Sequence, residues 1–292
     1  LVEEEGYLLD VVSGGELYTA LKADFPTQRI YFHGNNKSLW ELEMALKANI
    51  RLLIVDNFVE LEMLGELAER MNTKVRILLR VTPGVEAHTH EYIQTGQEDS
   101  KFGFDLASGQ AEEGVLLAYR HPYLILEGFH SHIGSQIYDA KAFQIAIERM
   151  AELIVRCERK YGIHTSIYNI GGGIGIRYEQ TDQPRPLSEM IAVIAEAIRK
   201  NLSACSAIPE IWMEPGRFLV GEAGTTLYTV GTMKEVPGVR KYIAVDGGMA
   251  DNPRPALYQA KYEAMLANKA YEKPEERVSI AGKCCESGDM LI

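Results

Sequence analysis

The residues best suited to chemistry lie where apolar runs end. Glu214-Pro215-Gly216-Arg217 follows Ile211, Trp212 and Met213. A carboxylate at the end of so apolar a run needs a buried cationic or donor partner. Arg217 meets that need in a purely structural ion pair, and a ligand's protonated heterocyclic nitrogen meets it equally. His132-Ile133-Gly134-Ser135-Gln136 closes a second run. An isolated histidine is by default a satisfied core residue. Here the place just past a strand, beside a small hydroxyl, makes His132 and Ser135 candidates for ligand contact. Gly171-Gly172-Gly173-Ile174-Gly175 closes a third run. Consecutive glycines let backbone N–H groups approach a phosphate without interference from Cβ. A plain tight turn explains them as well. They match neither the dinucleotide fingerprint nor the Walker loop.

Two further clusters lie toward the C-terminus. Asp246-Gly247-Gly248-Met249 precedes Asn252-Pro253-Arg254-Pro255-Ala256-Leu257-Tyr258. Prolines on both sides fix the backbone of Arg254, which suits a positioned guanidinium or a rigid surface turn. Cys284-Cys285-Glu286-Ser287-Gly288-Asp289 follows an apolar run. Free cysteines are usually buried and inert, yet a cysteine beside a glutamate before a glycine turn is a candidate proton donor. Cys157, Cys205, Cys284 and Cys285 fit neither a zinc knuckle nor a disulfide framework. They are expected as free thiols in a reducing cytoplasm, and no metal site is expected.

Short β-rich runs alternate with longer amphipathic ones. Strands are expected over 7–12, 29–33, 51–55, 74–81, 124–132, 166–170 and 210–214, and helices from Ser13 and over 38–49, 58–71, 140–161 and 186–202. Ser13 and Glu16 have capping-box spacing. The alternation predicts an α/β fold of parallel strands with helical crossovers. Active sites of such barrels sit at the C-terminal strand ends. Those ends carry Asp10, His33, Asp56, Arg80, His132, the three glycines and Glu214 to Arg217. Helix N-capping accounts for Ser13 and Asp56 without any chemistry. Seven strands are one short of a closed (β/α)8 barrel, and the missing one is expected before Leu1. From about residue 225, β-like runs at 226–231, 241–245 and 278–281 predict a second domain, cut short at Ile292. The expected domains are thus 1–224, a barrel, and 225–292, a β-rich piece.

The net charge of -11 excludes a broad basic surface for nucleic acid. No apolar run approaches the ~20 residues that cross a bilayer, and the acidic start Leu-Val-Glu-Glu-Glu does not read as a signal peptide.

In combination, residues 10–17, Ser100-Lys101-Phe102-Gly103, the His132, glycine and Glu214 motifs, residues 254–258 and residues 284–289 resemble the diaminopimelate decarboxylases, in the same order and over essentially the whole chain. Single motifs are shared with ornithine and arginine decarboxylases of the same alanine-racemase-like fold. The resemblance implies a pyridoxal 5'-phosphate (PLP) enzyme that converts meso-2,6-diaminopimelate to L-lysine and carbon dioxide, the last step of lysine biosynthesis. It implies that Glu214 pairs with the pyridine nitrogen, that His132 stacks on the ring, and that Ser135, Gly171, Gly172, Gly173 and the backbone of Pro215, Gly216 and Arg217 hold the phosphate. Arg217, Arg254 and Tyr258 would grip the distal carboxylate, Glu286 the distal ammonium, and Cys285 would be the catalytic proton donor. In the family that cysteine comes from the neighbouring subunit of a cytoplasmic homodimer with shared active sites. Asp10 and Arg80 would support the site.

Two departures accompany the resemblance. The Schiff-base lysine of the family lies on the first barrel strand, hence upstream of Leu1. Lys47, in Ala45-Leu46-Lys47-Ala48-Asn49, imitates the motif, but it and Lys22 fall at the ends of helices, on the opposite face. A family tyrosine that touches cofactor and substrate lies beyond Ile292. Activity of these residues alone is therefore not expected. The alternatives are a decarboxylase acting on arginine, ornithine or carboxynorspermidine, and a non-catalytic homologue that binds a partner protein.

Overall fold

The computed structural model describes residues 1–85 and 100–292. Its contacts separate two units: Leu1–Gly175 with Arg185–Gly216, and Ile176–Pro184 with Arg217–Ile292.

In the first unit, β1 (Leu9–Val11), α1 (Gly14–Lys22), β2 (Ile30–Phe32), α2 (Leu39–Ala48), β3 (Leu52–Val55), α3 (Phe58–Arg70) and β4 (Val75–Thr82) alternate strictly. A two-residue β5 (Phe104–Asp105) and α4 (Gln110–Arg120) come next. They are followed by β6 (Leu124–His130), α5 (Ala140–Tyr161), β7 (Ile167–Gly172), α6 (Leu187–Asn201) and β8 (Glu210–Glu214). The strands pair in parallel in the order β1-β2-β3-β4-β6-β7-β8, with β5 on β4. The seven expected strands thus form the wall of a partial (β/α)8 barrel. Tyr31, Leu52, Ile54, Leu78 and Ile167 pack as one buried cluster inside it, with Leu8 and Trp212 against them. Fully burying such side chains is worth about 1.5–3 kcal/mol each. Among the described residues no helix is long and apolar enough to cross a membrane.

Local signals explain the helix starts. Ser13 accepts the N–H of Glu16 at 3.2 Å, while the Glu16 carboxylate accepts the Val12 N–H at 2.7 Å. Glu41 accepts N–H groups from both Ser38 (2.9 Å) and Gly14 (2.7 Å), joining the starts of α1 and α2. The cap of α3 is Asn57, which accepts the Glu60 N–H at 2.9 Å. Asp56, expected in that role, instead accepts the Gly103 N–H at 3.0 Å. Both α4 and β5 escaped the sequence reading. α4 carries Glu112 and Glu113 in its first turn, and β5 is too short to show a period.

The second unit contains α7 (Gly216–Val220, whose first residue belongs to the first unit), β9 (Val230–Val236), β10 (Arg240–Val245), α8 (Arg254–Tyr258) and β11 (Ser279–Ala281). β10 pairs antiparallel with β9 and parallel with β11. The strand expected over 226–231 begins at Val230 and runs on to Val236. Its charged, exposed Lys234 and Glu235 hid the continuation. By their contacts the units divide at Gly216/Arg217. Ile176–Pro184 joins the second unit because its bonds go there, with Arg177 N–H on Glu222 and Gln180 N–H on Glu263.

One ion pair ties the strand-end loops of the first unit. Lys37 Nζ donates to Glu60 (2.6 Å) and to the carbonyls of Ile54 (2.8 Å) and Gly34 (2.7 Å), with both side chains almost wholly buried. Three acceptors use all three ammonium protons. Removing one partner of a buried pair leaves an uncompensated charge. We expect Lys37→Ala to destabilise the protein by about 3–5 kcal/mol, and a Lys37→Met/Glu60→Leu double variant to recover much of that loss. Urea unfolding measures both.

Candidate active site

Glu214, at the end of β8, is held by three donors from three other strands. His33, just past β2, bonds Oε1 at 2.8 Å, and Asn169 of β7 donates to the same oxygen at 2.7 Å. His130, the last residue of β6, bonds Oε2 at 3.2 Å. The partners envisaged from sequence were Arg217 or a ligand's protonated heterocyclic nitrogen; the protein donors here are two imidazoles and an amide. Burial alone would raise the Glu214 carboxyl. Hydrogen bonds from His130 and His33 outweigh it and hold the group well below the usual carboxylate range. Burial pushes His130 down to about 3, so it donates as a neutral ring. Its Nδ1 is buried with no hydrogen-bond partner among the described residues. The ligand atoms of His33, His130 and Glu214 lie within 4.8 Å of one another, a spacing that would also suit a metal ion. Here they are joined by hydrogen bonds.

The glycine turn meets the same assembly. Asn169 Oδ1 accepts the Gly171 N–H at 2.9 Å, so one amide spans the turn and the carboxylate. Gly171 and Gly173 have φ of +73° and +101°. A Cβ on any of the three glycines would strike backbone: Ser131 O for Gly171, Glu214 O for Gly172, and Gly134 O for Gly173. Close packing of strand ends therefore requires these glycines, before any phosphate is considered. The turn also orients His132, whose Nδ1 accepts the Gly172 N–H at 3.2 Å. Surrounding protein first, then Arg80, lower the pKa of this ring, although its edge is exposed. The neutral ring thus carries its proton on Nε2. Ser135 is exposed in the loop after β6. Gly216 is exposed, and a Cβ there would meet nothing within 4 Å.

The Ser100 to Gly103 motif serves Arg80. The Arg80 guanidinium lies 4.2 Å from the centre of the Phe102 ring and 3.7 Å from Asp56 Oδ1. Thr82 Oγ1 donates to the Phe102 carbonyl at 2.5 Å. Asp10 lies 4.0 Å from His33 Nε2.

In the second unit Arg254 opens α8 and donates to the hydroxyls of Tyr178 (2.7 Å) and Tyr262 (3.1 Å). Tyr258, on the same helix, is exposed, as are Cys285 and Glu286. The turn bearing Cys285 is anchored by a buried residue. Asp289 accepts the N–H groups of Met249 (2.6 Å) and Cys284 (2.8 Å), filling the space a Cβ on Gly248 or Gly282 would take. Glu286 Oε1 accepts the Gly288 N–H at 3.2 Å. Lys47 is two-thirds exposed and pairs with Glu43 at the end of α2, and Lys22 ends α1 over Tyr18. Neither reaches the strand-end face.

A PLP ring and phosphate suit the donor set at these strand ends. Glu214 is an ionised acceptor that remains partly accessible, His132 offers a neutral exposed ring, and the backbone at Gly216 borders open space. Residues 1–221 match the sequence profile of the pyridoxal-dependent decarboxylases, pyridoxal binding domain. The chain is 57% identical over its whole length to the diaminopimelate decarboxylases of Bacillus methanolicus and Bacillus subtilis, covering 68% and 67% of those proteins. It belongs to the diaminopimelate decarboxylase family. Among solved structures of that family, it matches the M. jannaschii decarboxylase in co-complex with L-lysine with a TM-score of 0.89, at 36% identity, over 99% of this chain and 66% of that one. For the Helicobacter pylori decarboxylase complexed with L-lysine the TM-score is 0.85, at 33% identity, over 100% and 70%. The chain thus spans about two thirds of the length of these family members.

His33, His130, Asn169 and Asp289 are the residues that motif reading undervalued. His33 stood among the strand-end residues without a role. Asp289 lies inside a motif, and His130 and Asn169 lie two residues before the His132 and Gly171 motifs, in the apolar runs that precede them. All four are almost wholly buried, and a polar residue inside an apolar run was the available signal.

Burial raises the Asp10 carboxyl to about 6; Glu214 adds to the rise and His33 opposes it. A carboxyl whose folded pKa lies above its unfolded one contributes stability at low pH and loses it as pH rises through the folded value. In the cofactor-free protein, between about pH 4 and 6, the buried, neutral His130 makes stability rise with pH while Asp10 opposes the rise, so we expect Asp10→Asn to steepen the rise. Thermal unfolding across this range is the measurement; an unchanged slope in the variant would refute the assignment.

Proposed function

We propose that this chain carries the reaction of its family, the decarboxylation of meso-2,6-diaminopimelate to L-lysine and carbon dioxide with PLP as cofactor. The observation that carries the reading is the ionised Glu214, fixed by His33, His130 and Asn169 at a strand end. When bound, PLP supplies an electron sink for the electrons left as carbon dioxide departs. That sink works best with its ring nitrogen protonated, and Glu214 is the group that holds a proton there. His132 would lie on the ring face, its orientation set by Gly172. Ser135, the turn of Gly171, Gly172 and Gly173, and the backbone from Pro215 to Arg217 are assigned to the phosphate.

In the second unit, Arg217, Arg254 and Tyr258 are assigned to the carboxylate that the reaction leaves in place. A guanidinium binds a carboxylate through a planar fork. Glu286 is assigned to the distal ammonium, and Cys285 to protonation of the carbanion carbon. The reading extends to a homodimer with shared active sites in the cytoplasm, as family resemblance implies. The domains assigned are a PLP-binding barrel over 1–224 and a β-rich C-terminal domain over 225–292.

Two measurements on the full-length protein test this. Diaminopimelate should be turned over far better than ornithine or arginine. Equal turnover would move the chain to another decarboxylase, and no turnover with PLP bound would favour a non-catalytic homologue. Cys285→Ala should cut kcat by about two orders of magnitude, within the usual range for a general acid, with little change in PLP affinity. Equal loss of both would contradict the proton-donor role.

A further inference from the structure

Arg217 and Arg254 share one aromatic neighbour that no motif singled out. The guanidinium carbon of Arg254 lies 5.0 Å from the centre of the Tyr178 ring, and that of Arg217 lies 5.9 Å from it. Arg254 also donates to the Tyr178 hydroxyl at 2.7 Å. The Tyr262 ring packs edge-on against Tyr178, with centres 5.5 Å apart, and its hydroxyl takes a second Arg254 bond.

Two guanidinium groups converging on one ring repel each other unless something negative lies between them. Among the described residues, no carboxylate pairs with either. The acids of the segment that carries Tyr178 are bonded elsewhere. Asp182 accepts the N–H groups of Tyr178 (2.9 Å) and Glu179 (3.0 Å), and Glu179 faces Lys261 at 3.9 Å. Glu222 and Glu263 accept backbone N–H groups of Arg177 and Gln180. Arg217 Nη1 is buried with no hydrogen-bond partner among the described residues. An unsatisfied buried guanidinium N–H costs more than most polar groups, and an incoming anion removes that cost.

We propose that Tyr178 is a positioning residue for substrate selection. Its hydroxyl aims Arg254 and its ring face sets the spacing of Arg254 and Arg217, so that the two cations bind one carboxylate. A neutral phenol suits this role where an aspartate would not. It accepts a hydrogen bond and offers a π-face to both cations without neutralising the charge the ligand must meet. The segment from Ile176 to Pro184, which leaves the strand order after β7, is in this view the arm that brings the phenol to the arginines of its own unit.

The inference rests on the assignment of Arg217 and Arg254 to the retained carboxylate. The test uses full-length holoenzyme with Tyr178→Phe, Tyr178→Leu and Arg254→Ala. Substrate is meso-diaminopimelate, and the comparison inhibitor is 1,5-diaminopentane, which has both amines and no carboxylate. Tyr178→Phe keeps the ring and loses one hydrogen bond to a charged group, so KM should rise about tenfold. Tyr178→Leu should raise it further. In both, the loss should appear in KM rather than kcat, with the Ki for 1,5-diaminopentane unmoved. An unchanged KM in Tyr178→Phe, or a parallel rise in Ki for the diamine, overturns the role of Tyr178. If Arg254→Ala also leaves KM unchanged, the carboxylate assignment itself has failed. If Arg254→Ala raises KM and Tyr178→Phe does not, only the positioning role is lost.

Discussion

A carboxylate kept ionised inside protein is the constraint around which the first unit is arranged. Moving such a charge out of water costs several kcal/mol, even after relaxation. The cost is met here by hydrogen bonds from three strands, since no lysine or arginine forms an ion pair with Glu214 among the described residues. His33, His130 and Asn169 stand at or near the ends of β2, β6 and β7, so the carboxylate is satisfied only when four strand ends are in register. β2 and β8 lie far apart in the pairing order, yet His33 and Glu214 meet at 2.8 Å and Tyr31 packs on Trp212. The sheet therefore curls, and the inward-facing cluster of Tyr31, Leu52, Ile54, Leu78 and Ile167 fills the curve.

Backbone proximity follows from the same curl. The loops after β6, β7 and β8 press together so closely that Gly171, Gly172 and Gly173 have no room for a side chain. Asn169 ties this turn to Glu214 through opposite ends of one amide. The carboxylate proposed for the ring nitrogen and the turn assigned to the phosphate are thus parts of one hydrogen-bonded piece. A change at Asn169 would disturb both.

The strand ends were readable because parallel barrels put apolar runs just before polar tips, and each run here is short and bounded. All seven expected strands are present, and α5 matches its expected bounds. What escaped is local in a different sense. β5 has two residues, and β9 has an exposed face that breaks the hydrophobic alternation. The role of Ile176–Pro184 depends on contacts to residues 40 to 90 positions later, which no period announces. The residues proposed for the site were singled out from their type and their place at run ends. His130, Asn169 and Asp289, which work by being hidden, were not. Their polarity shows in the sequence, but the partners that justify it are distant in the chain.

The choice of donors around Glu214 carries chemical meaning. Had an arginine satisfied it, the carboxylate would be a neutralised half of an ion pair, with little attraction left for a cation. Asn169 is uncharged and His130 is driven neutral by burial, so they orient and solvate the anion without cancelling it. The retained charge then favours a protonated heterocyclic nitrogen over a neutral one, because only the former both donates a proton and brings the missing positive charge. The second unit applies the inverse rule: Arg217 and Arg254 are held by a phenol ring and hydroxyls, with no acid paired to either among the described residues. In each unit a full charge is kept in place largely by uncharged hydrogen-bonding groups, which is the electrostatic condition for recruiting a ligand of opposite sign.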